Sequence, residues 1–395
     1  MANSYPVIFV HGFGGWGRGE LFNVLYWGGT QEDYEKYLNQ SGFESYTATV
    51  SPFSSNWDRA CELYAYIKGT RVDYGKAHSS KYGHDRYGMK FRGVYKKWSP
   101  INKIHLISHS MGGQTVRVLS HLLKQGSLEE IESVLGKNPS KVQINKAVHE
   151  GLLSPLFVGS TSSIHSITTI ASPHDGTTLT QGVLGVIPYA QKLVALGAAQ
   201  SSLHKSNFYD FKLDHWGLYK GSSENFIDFA KRVWESPLWN KTKDISAWDL
   251  SPQGAMELNS WVKAQDEVYY FSWSTEKTKA SLLSKKQIPK KDLHPILIPF
   301  ALFMGSFTDN DKNKVSINRN WFQNDGVVNT ISMNGPKLGS KDIIKNFIGS
   351  PQRGIWNHMG LLKDTDHMDI ISLSSKEKKS YWYKKYVEFL YSLDS

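Results

Sequence analysis

The chain opens on an apolar, β-rich run, Tyr5-Pro-Val-Ile-Phe-Val10, that passes directly into His11-Gly-Phe-Gly-Gly15, and this predicts a buried strand feeding a glycine loop. The pattern returns at Lys103-Ile-His-Leu-Ile107. There it runs into Ser108-His-Ser-Met-Gly-Gly113 and then into apolar residues at Val116, Leu119 and Leu123, the spacing of one helix face. Strand, sharp turn and helix in that order predict a parallel α/β sheet. Further strands are expected at Ile164–Ile170, Val268–Trp273 and Ala301–Phe307, with helical patterns between them. No repeat, low-complexity linker or charge block divides the chain, so one elaborated α/β domain over residues 1–395 is expected.

Two stretches interrupt the sheet pattern. Trp57 to Pro100 is rich in Gly, Tyr, Lys and His, which suits a loop-rich insertion. Thr178 to Asp214 mixes Val183, Leu184, Ile187, Leu193, Val194 and Leu196 with Gly182, Gly185, Pro188 and Gly197. Glycines and a proline in an apolar helix favour hinging, so a mobile lid and an ordinary core helix pair are both open readings.

Composition narrows the class. Hydrophobic residues make up 40% and charged residues 21%, ordinary for a globular protein that builds a sizeable core. The longest apolar run, Pro295 to Gly305, falls short of the roughly 20 residues a membrane-spanning helix requires. No basic segment or cleavage site precedes the first strand, so no signal peptide is expected in this sequence. Cys61 is the lone cysteine and lies in a helix-like stretch, where a buried structural thiol is expected rather than a nucleophile. The balance of 46 basic to 36 acidic residues gives +10, a charge compatible with nucleic acid or an anionic interface but requiring neither. The lysines are scattered, and the densest run, Lys376 to Lys385, falls on a terminal helix whose apolar face is Tyr386, Val387, Leu390 and Leu393.

Ser108-His109-Ser110-Met111-Gly112 fits the G-x-S-x-G nucleophile elbow, with serine in place of the first glycine. Such a turn throws the Ser110 hydroxyl into the open, so residues two before and two after it must be small. Attack on an ester carbonyl would create an oxyanion. The backbone N–H groups of Phe13 and Met111 are the candidates to receive it, each such donor being worth about 2.7–4 kcal/mol. The glycine spacing of His11-Gly-Phe-Gly-Gly15 does not fit a dinucleotide or Walker phosphate loop.

In an α/β-hydrolase fold the triad follows the chain order serine, acid, histidine. Asp325, at an Asp-Gly turn before an apolar run, stands where the acid would fall, with Asp309, Asp311 and Asp342 as rivals. Downstream of it the candidate bases are His358 and His367, and His367 lies shortly before the terminal helix.

Taken together, these residues resemble the secreted lipases of Bacillus, Geobacillus and Staphylococcus. The resemblance is carried by His11-Gly-Phe13, Ser54-Ser-Asn-Trp-Asp-Arg-Ala60, Arg71-Val-Asp-Tyr-Gly75, His109-Ser-Met-Gly-Gly-Gln114, Ala171-Ser-Pro-His-Asp-Gly-Thr177, Tyr209-Asp-Phe-Lys-Leu-Asp214 and Asn324-Asp-Gly-Val-Val-Asn-Thr330. It implies an α/β-hydrolase fold and a triad of Ser110, Asp325 and His367. It also implies a lid after Thr177, and a lipid or other ester as substrate at an interface, without nucleic acid or a transmembrane segment. Secretion is implied by the family alone. The resemblance further implies a structural zinc site at Asp58, His78, His84 and Asp249, a donor set suited to a closed tetrahedral shell. For calcium it offers Asp369, but the next acidic ligand is replaced in Ile371-Ser-Leu-Ser-Ser375, so weak or absent binding is expected. A broad esterase or phospholipase, including one acting on polymeric esters, is the alternative, and a non-catalytic binding protein of the same fold is a remote one.

Overall fold

The computed structural model describes residues 3–21, 24–182, 185–200, 209–373 and 378–394. The strands described are β1 (Val7–Val10), β2 (Ser45–Thr47), β3 (Arg71–Asp73), β4 (Tyr87–Lys90), β5 (Ile104–His109), β6 (Ile164–Ile170), β7 (Tyr269–Glu276), β8 (Thr278–Ala280), β9 (Gln287–Pro289), β10 (Ile344–Asn346) and β11 (Trp356–Lys363). Seven of them form one sheet in the order β2-β1-β5-β6-β7-β11-β10, and β3-β4 and β8-β9 are separate antiparallel ribbons. Every pairing within the large sheet is parallel.

Helices cover both faces, which is why the central strands are buried throughout rather than on alternate residues: every residue of β1, β5 and β6 is buried, polar ones such as His105, Ser166 and Thr168 included. Successive side chains of β1 divide between two cores. Val7 and Phe9 join a cluster with Tyr383, Val387 and Leu390 of the terminal helix Ser380–Ser392. Ile8 and Val10 join Ala60 and Leu63 of the helix Asn56–Lys68 and Val116 and Leu119 of the helix Gly112–Gln125. After β1 the chain adds β2 on one side and later returns to add β5 on the other, so strand order reverses at the β1/β5 boundary. In open parallel sheets this is where the carboxyl ends of adjacent strands leave a crevice.

Four of the five expected strands are found; the fifth is not. The apolar run at Ala301–Phe307 lies mostly in a helix, Ile298–Met304, after a 3-10 turn Pro295–Leu297. Phe300, Ala301 and Met304 are buried while Ile298 and Leu302 face outward, a helical period that a short, almost wholly apolar run conceals. The Trp57–Pro100 insertion is also more ordered than a loop, for it holds most of the helix Asn56–Lys68, the helix Lys76–Tyr82 and the β3-β4 ribbon. Cys61 is buried in the first of these helices. Of the lid stretch, Gly185 to Gln200 is described, with a helix from Val186; Val183, Leu184 and residues 201–208 lie outside the described residues, as does the side chain of Leu196.

Candidate active site and metal centre

Ser110 follows the last residue of β5 and adopts φ 55°, a left-handed conformation that a serine takes only under constraint from its surroundings. That constraint comes from packing without side-chain room. A Cβ on Gly112 would lie 2.5 Å from Val10 O, and one on Gly12 would lie 2.6 Å from Ser110 Cβ. Ser108, in the small position before the turn, is buried and donates its hydroxyl to Thr168 O at 2.8 Å. A helix starts at Gly112, so its unpaired N–H groups and positive end point at the elbow.

His367 joins Ser110 to Asp325 across the C-terminal edge of the sheet. Its Nε2 is 2.9 Å from Ser110 Oγ and its Nδ1 is 2.8 Å from Asp325 Oδ2. The carboxylate is held on all sides: Oδ1 accepts from Val327 N and Val328 N at 3.0 and 2.8 Å, and Oδ2 accepts from Thr275 Oγ1 at 2.7 Å. Because Asp325 Oδ2 is an acceptor, the Nδ1–H tautomer of His367 is assigned, and that leaves Nε2 free to take the serine proton. The three residues are buried. Asp309, Asp311 and Asp342 bond elsewhere: Asp309 with Lys314, Asp311 with Asn313 N and Asp342 with Trp356 Nε1. His358 is on β11 with its Nδ1 3.3 Å from Ser272 Oγ.

Beside Ser110, His367 and Asp325, the His109 ring packs at a tilt against that of His367, with ring centroids 4.6 Å apart. Burial, reinforced by repulsion from His367, holds the His109 pKa well below the ordinary imidazole value, so it forms a neutral wall beside His367. Its Nδ1 is 2.7 Å from Tyr26 Oη, which also accepts the Gly12 N–H at 3.0 Å. Arg59, buried in the helix Asn56–Lys68, donates to His11 O at 2.6 Å and to Thr115 Oγ1 at 2.9 Å, and also to Ser51 O. Tyr26 and Arg59 thus fix the glycine loop against the elbow. Among the described residues neither the Phe13 nor the Met111 N–H donates to a protein acceptor. Tyr26 is separated in sequence from everything it positions, and no local pattern distinguishes it from the chain's other tyrosines.

A second cluster lies in the insertion. Asp58, His78, His84 and Asp244 each offer one ligand atom within 4.8 Å of the others. His78 Nε2 is 3.3 Å from Asp58 Oδ1 and 3.1 Å from Asp244 Oδ2, and His84 Nε2 is 3.2 Å from Asp244 Oδ2. These four atoms are buried without hydrogen-bond partners. A tetrahedral ion with bonds of about 2.0–2.1 Å would set its ligands about 3.3–3.4 Å apart, close to these spacings. The remaining atoms are occupied as a metal shell requires: His84 Nδ1 is 2.9 Å from Asp85 O, and Asp58 Oδ2 is 3.0 Å from His215 Nε2.

The carboxylate closing the cluster is Asp244, not the expected Asp249. Asp249 ends the short helix Ser246–Asp249 and turns away to accept Asn56 N at 2.5 Å, at the positive end of the helix Asn56–Lys68. Burial pushes its carboxyl up to about 8. Asp244 lies in the turn before that helix, facing the histidines. Asp369 lies in no such cluster among the described residues; its Oδ2 is 2.7 Å from Lys277 Nζ and accepts Asp366 N at 2.9 Å.

Known proteins share this architecture. Residues 3–390 match the family described as "Lipase-like, C-terminal domain". A lipase of Staphylococcus epidermidis is 39% identical over 380 residues, 95% of this chain and 51% of that protein. Lipase 1 of Staphylococcus aureus is 38% identical over 378 residues, 95% of this chain and 52% of that protein. The chain therefore spans about half the length of the curated relatives it matches. Among solved structures, lipase 1 from Pelosinus fermentans is 50% identical with TM-score 0.89, covering 100% of both chains. EstA from Clostridium botulinum is 47% identical with TM-score 0.89, covering 99% of this chain and 88% of that one. The Staphylococcus hyicus lipase is 34% identical with TM-score 0.79, covering 98% and 96%.

Proposed function

This chain belongs to the lipase-like, C-terminal domain family, and from that premise we propose that it is a serine carboxylic ester hydrolase acting as a lipase on triacylglycerol-type esters. The observation that carries the reading is the Ser110–His367–Asp325 relay, with contacts of 2.9 and 2.8 Å.

Ser110 Oγ attacks the ester carbonyl while His367 Nε2 takes its proton, and Asp325 holds the ring and stabilises the imidazolium. The N–H groups of Phe13 and Met111 receive the carbonyl oxygen as it becomes anionic. His367 then gives its proton to the departing alcohol, leaving an acyl-serine. Water, deprotonated by His367, attacks this ester; collapse of the second tetrahedral intermediate frees the acid and returns the proton to Ser110.

The helix Val186–Gln200 acts as the lid. Tyr189 stacks on Phe13 at 6.4 Å and packs against Phe300 at 5.8 Å, and Leu193 lies over Gly14. Ser110 is 6% exposed beneath this cover, so an acyl chain enters only when the helix moves. Asp58, His78, His84 and Asp244 would hold a zinc ion, and four protein donors of this kind would give it a structural role, tying the insertion together. Asp369 takes Lys277 as its cation in place of calcium. Export from the cell is proposed on the family resemblance.

The test is hydrolysis of nitrophenyl esters of increasing chain length, below and above their aggregation point, by the parent and by Ser110→Ala. A rate jump at the aggregate, lost by at least about 10⁴-fold in the variant, is expected. Retained turnover in Ser110→Ala sinks the assignment, and a flat short-chain preference favours an esterase over a lipase.

A further inference from the structure

We propose that the β8-β9 hairpin is a docking surface for an anionic lipid membrane. Its tip carries Leu282 and Leu283, with relative exposures of 101% and 99%. Burying one such side chain is a major part of what stabilises a fold, and two adjacent ones held entirely in water contribute nothing to this one. A surface that removes them from water is the partner they fit.

Charge says which surface. From Lys277 to Lys291 the sequence holds six lysines and no Asp or Glu. Lys277 and Lys290 are paired with carboxylates, whereas Lys279, Lys285, Lys286 and Lys291 are exposed with no ion pair among the described residues. An apolar tip followed in the same loop by Lys285 and Lys286, which have no ion pair among the described residues, combines the two attractions that hold proteins at anionic interfaces: apolar insertion and binding to negative headgroups. The same lysines disfavour a second copy of this chain as the occupant, because a two-fold contact would bring them together.

The hairpin sits where docking serves the site, and in this the proposal rests on the ester-hydrolase reading. β8 leaves the end of β7 just after Thr275, the residue bonded to Asp325. β9 is tied by Gln287 N to Gly305 O, at 2.8 Å, at the end of the helix Ile298–Met304. That helix presents Ile298 and Leu302, 37% and 46% exposed, one turn apart on its outer face. Its inner face places Phe300 against Tyr189 of the cover helix. The base of the hairpin is therefore bonded to the end of the helix on which the cover rests.

The experiment uses full-length protein carrying Ser110→Ala, so that binding is read without turnover. Co-sedimentation is measured with vesicles of phosphatidylcholine alone and of phosphatidylcholine mixed with phosphatidylglycerol. The parent is expected to bind the mixed vesicles, with affinity falling about tenfold or more in L282S/L283S and in K285E/K286E. Equal binding to both vesicle types, or unchanged binding by both variants, overturns the proposal; so does a concentration-dependent dimer that L282S/L283S abolishes.

An environment-sensitive fluorophore on L283C adds a local readout, since the native Cys61 is buried, with its thiol pKa pushed well up by burial. Its emission is expected to shift blue with mixed vesicles only, and no shift counts against insertion. Hydrolysis of a soluble short-chain ester without vesicles separates the two readings. Its absence in the Ser110-bearing parent defeats the ester-hydrolase reading, whereas unchanged variant binding defeats the docking one.

Discussion

Lys277 Nζ lies 2.7 Å from Asp369 Oδ2, two residues beyond His367, and the Lys277 backbone N–H donates to Asn324 O at 3.1 Å, one residue before Asp325. One residue at the end of β7 thus ties down both the loop that carries the proposed base and the loop that carries the acid. Asp366, on the other side of His367, is 3.8 Å from the same ammonium.

Replacing Lys277 with methionine keeps an unbranched side chain one atom shorter and removes the charge. We expect kcat on a soluble short-chain ester to fall about ten- to a hundredfold, because a shift of roughly 1 Å in a catalytic group costs that much. KM should change little, and K277R should recover most of the rate. A K277M enzyme with parental kcat would contradict this positioning role.

Gly12 has no room for a methyl group: a Cβ there would meet Ser110 Cβ at 2.6 Å and His109 O at 3.0 Å. In Gly12→Ala the loop must draw back from the elbow and carry Phe13 N–H with it. Loss of one oxyanion donor predicts a fall in kcat of about 10²–10³. Steady-state kinetics on protein whose circular dichroism matches the parent's tests it; an unaltered kcat would mean that the loop donor is not used.

Asp244 and Asp249 make opposite predictions for metal content. Asp244→Asn removes a ligand from the four-atom cluster, and zinc per chain should drop from about one to a small fraction, with a lowered Tm. Asp249→Asn leaves the cluster intact and should keep its zinc. Elemental analysis of both variants decides, and the reverse pattern would restore Asp249 as the ligand.

His165 gives a pH signature. Burial, with Lys103 and Arg353 nearby, lowers its pKa to about 4, against about 6.5 in the unfolded chain. Between those values the unfolded state binds the extra proton, so this residue's effect on stability becomes less favourable as pH falls from 6.5 toward 4, by up to about 1.4 kcal/mol per pH unit. His165→Phe, between the rings of Tyr5 and Tyr269, removes that proton site. Denaturant unfolding at pH 7.5 and pH 5 should show the variant gaining on the parent at the lower pH; a constant difference would refute the assignment.

What was legible in the sequence is what local chemistry fixes. An apolar strand run into a glycine loop, and a small-Ser-small turn between strand and helix, each write their geometry into a few consecutive residues, so β1, β5, Ser110 and the candidate oxyanion donors could be read from sequence pattern. At Ala301–Phe307 the expected strand is mostly helix. There nearly every residue is apolar, the period that separates helix from strand is erased, and only the split between Phe300 inside and Leu302 outside reveals the helix. Spacing alone left His358 and His367 as rivals and offered no reason to prefer Asp244 over Asp249. Those aspartates are only five positions apart, but the short helix Ser246–Asp249 turns one toward the N-terminus of a neighbouring helix and leaves the other among the histidines. The sequence by itself determined four strands of the large sheet, the strand–turn–helix order at the elbow and the stock of donors. Which carboxylate, lysine or tyrosine meets them was decided by the tertiary structure, because contacts between residues tens to hundreds of positions apart depend on how whole elements pack and leave no pattern in the neighbouring residues.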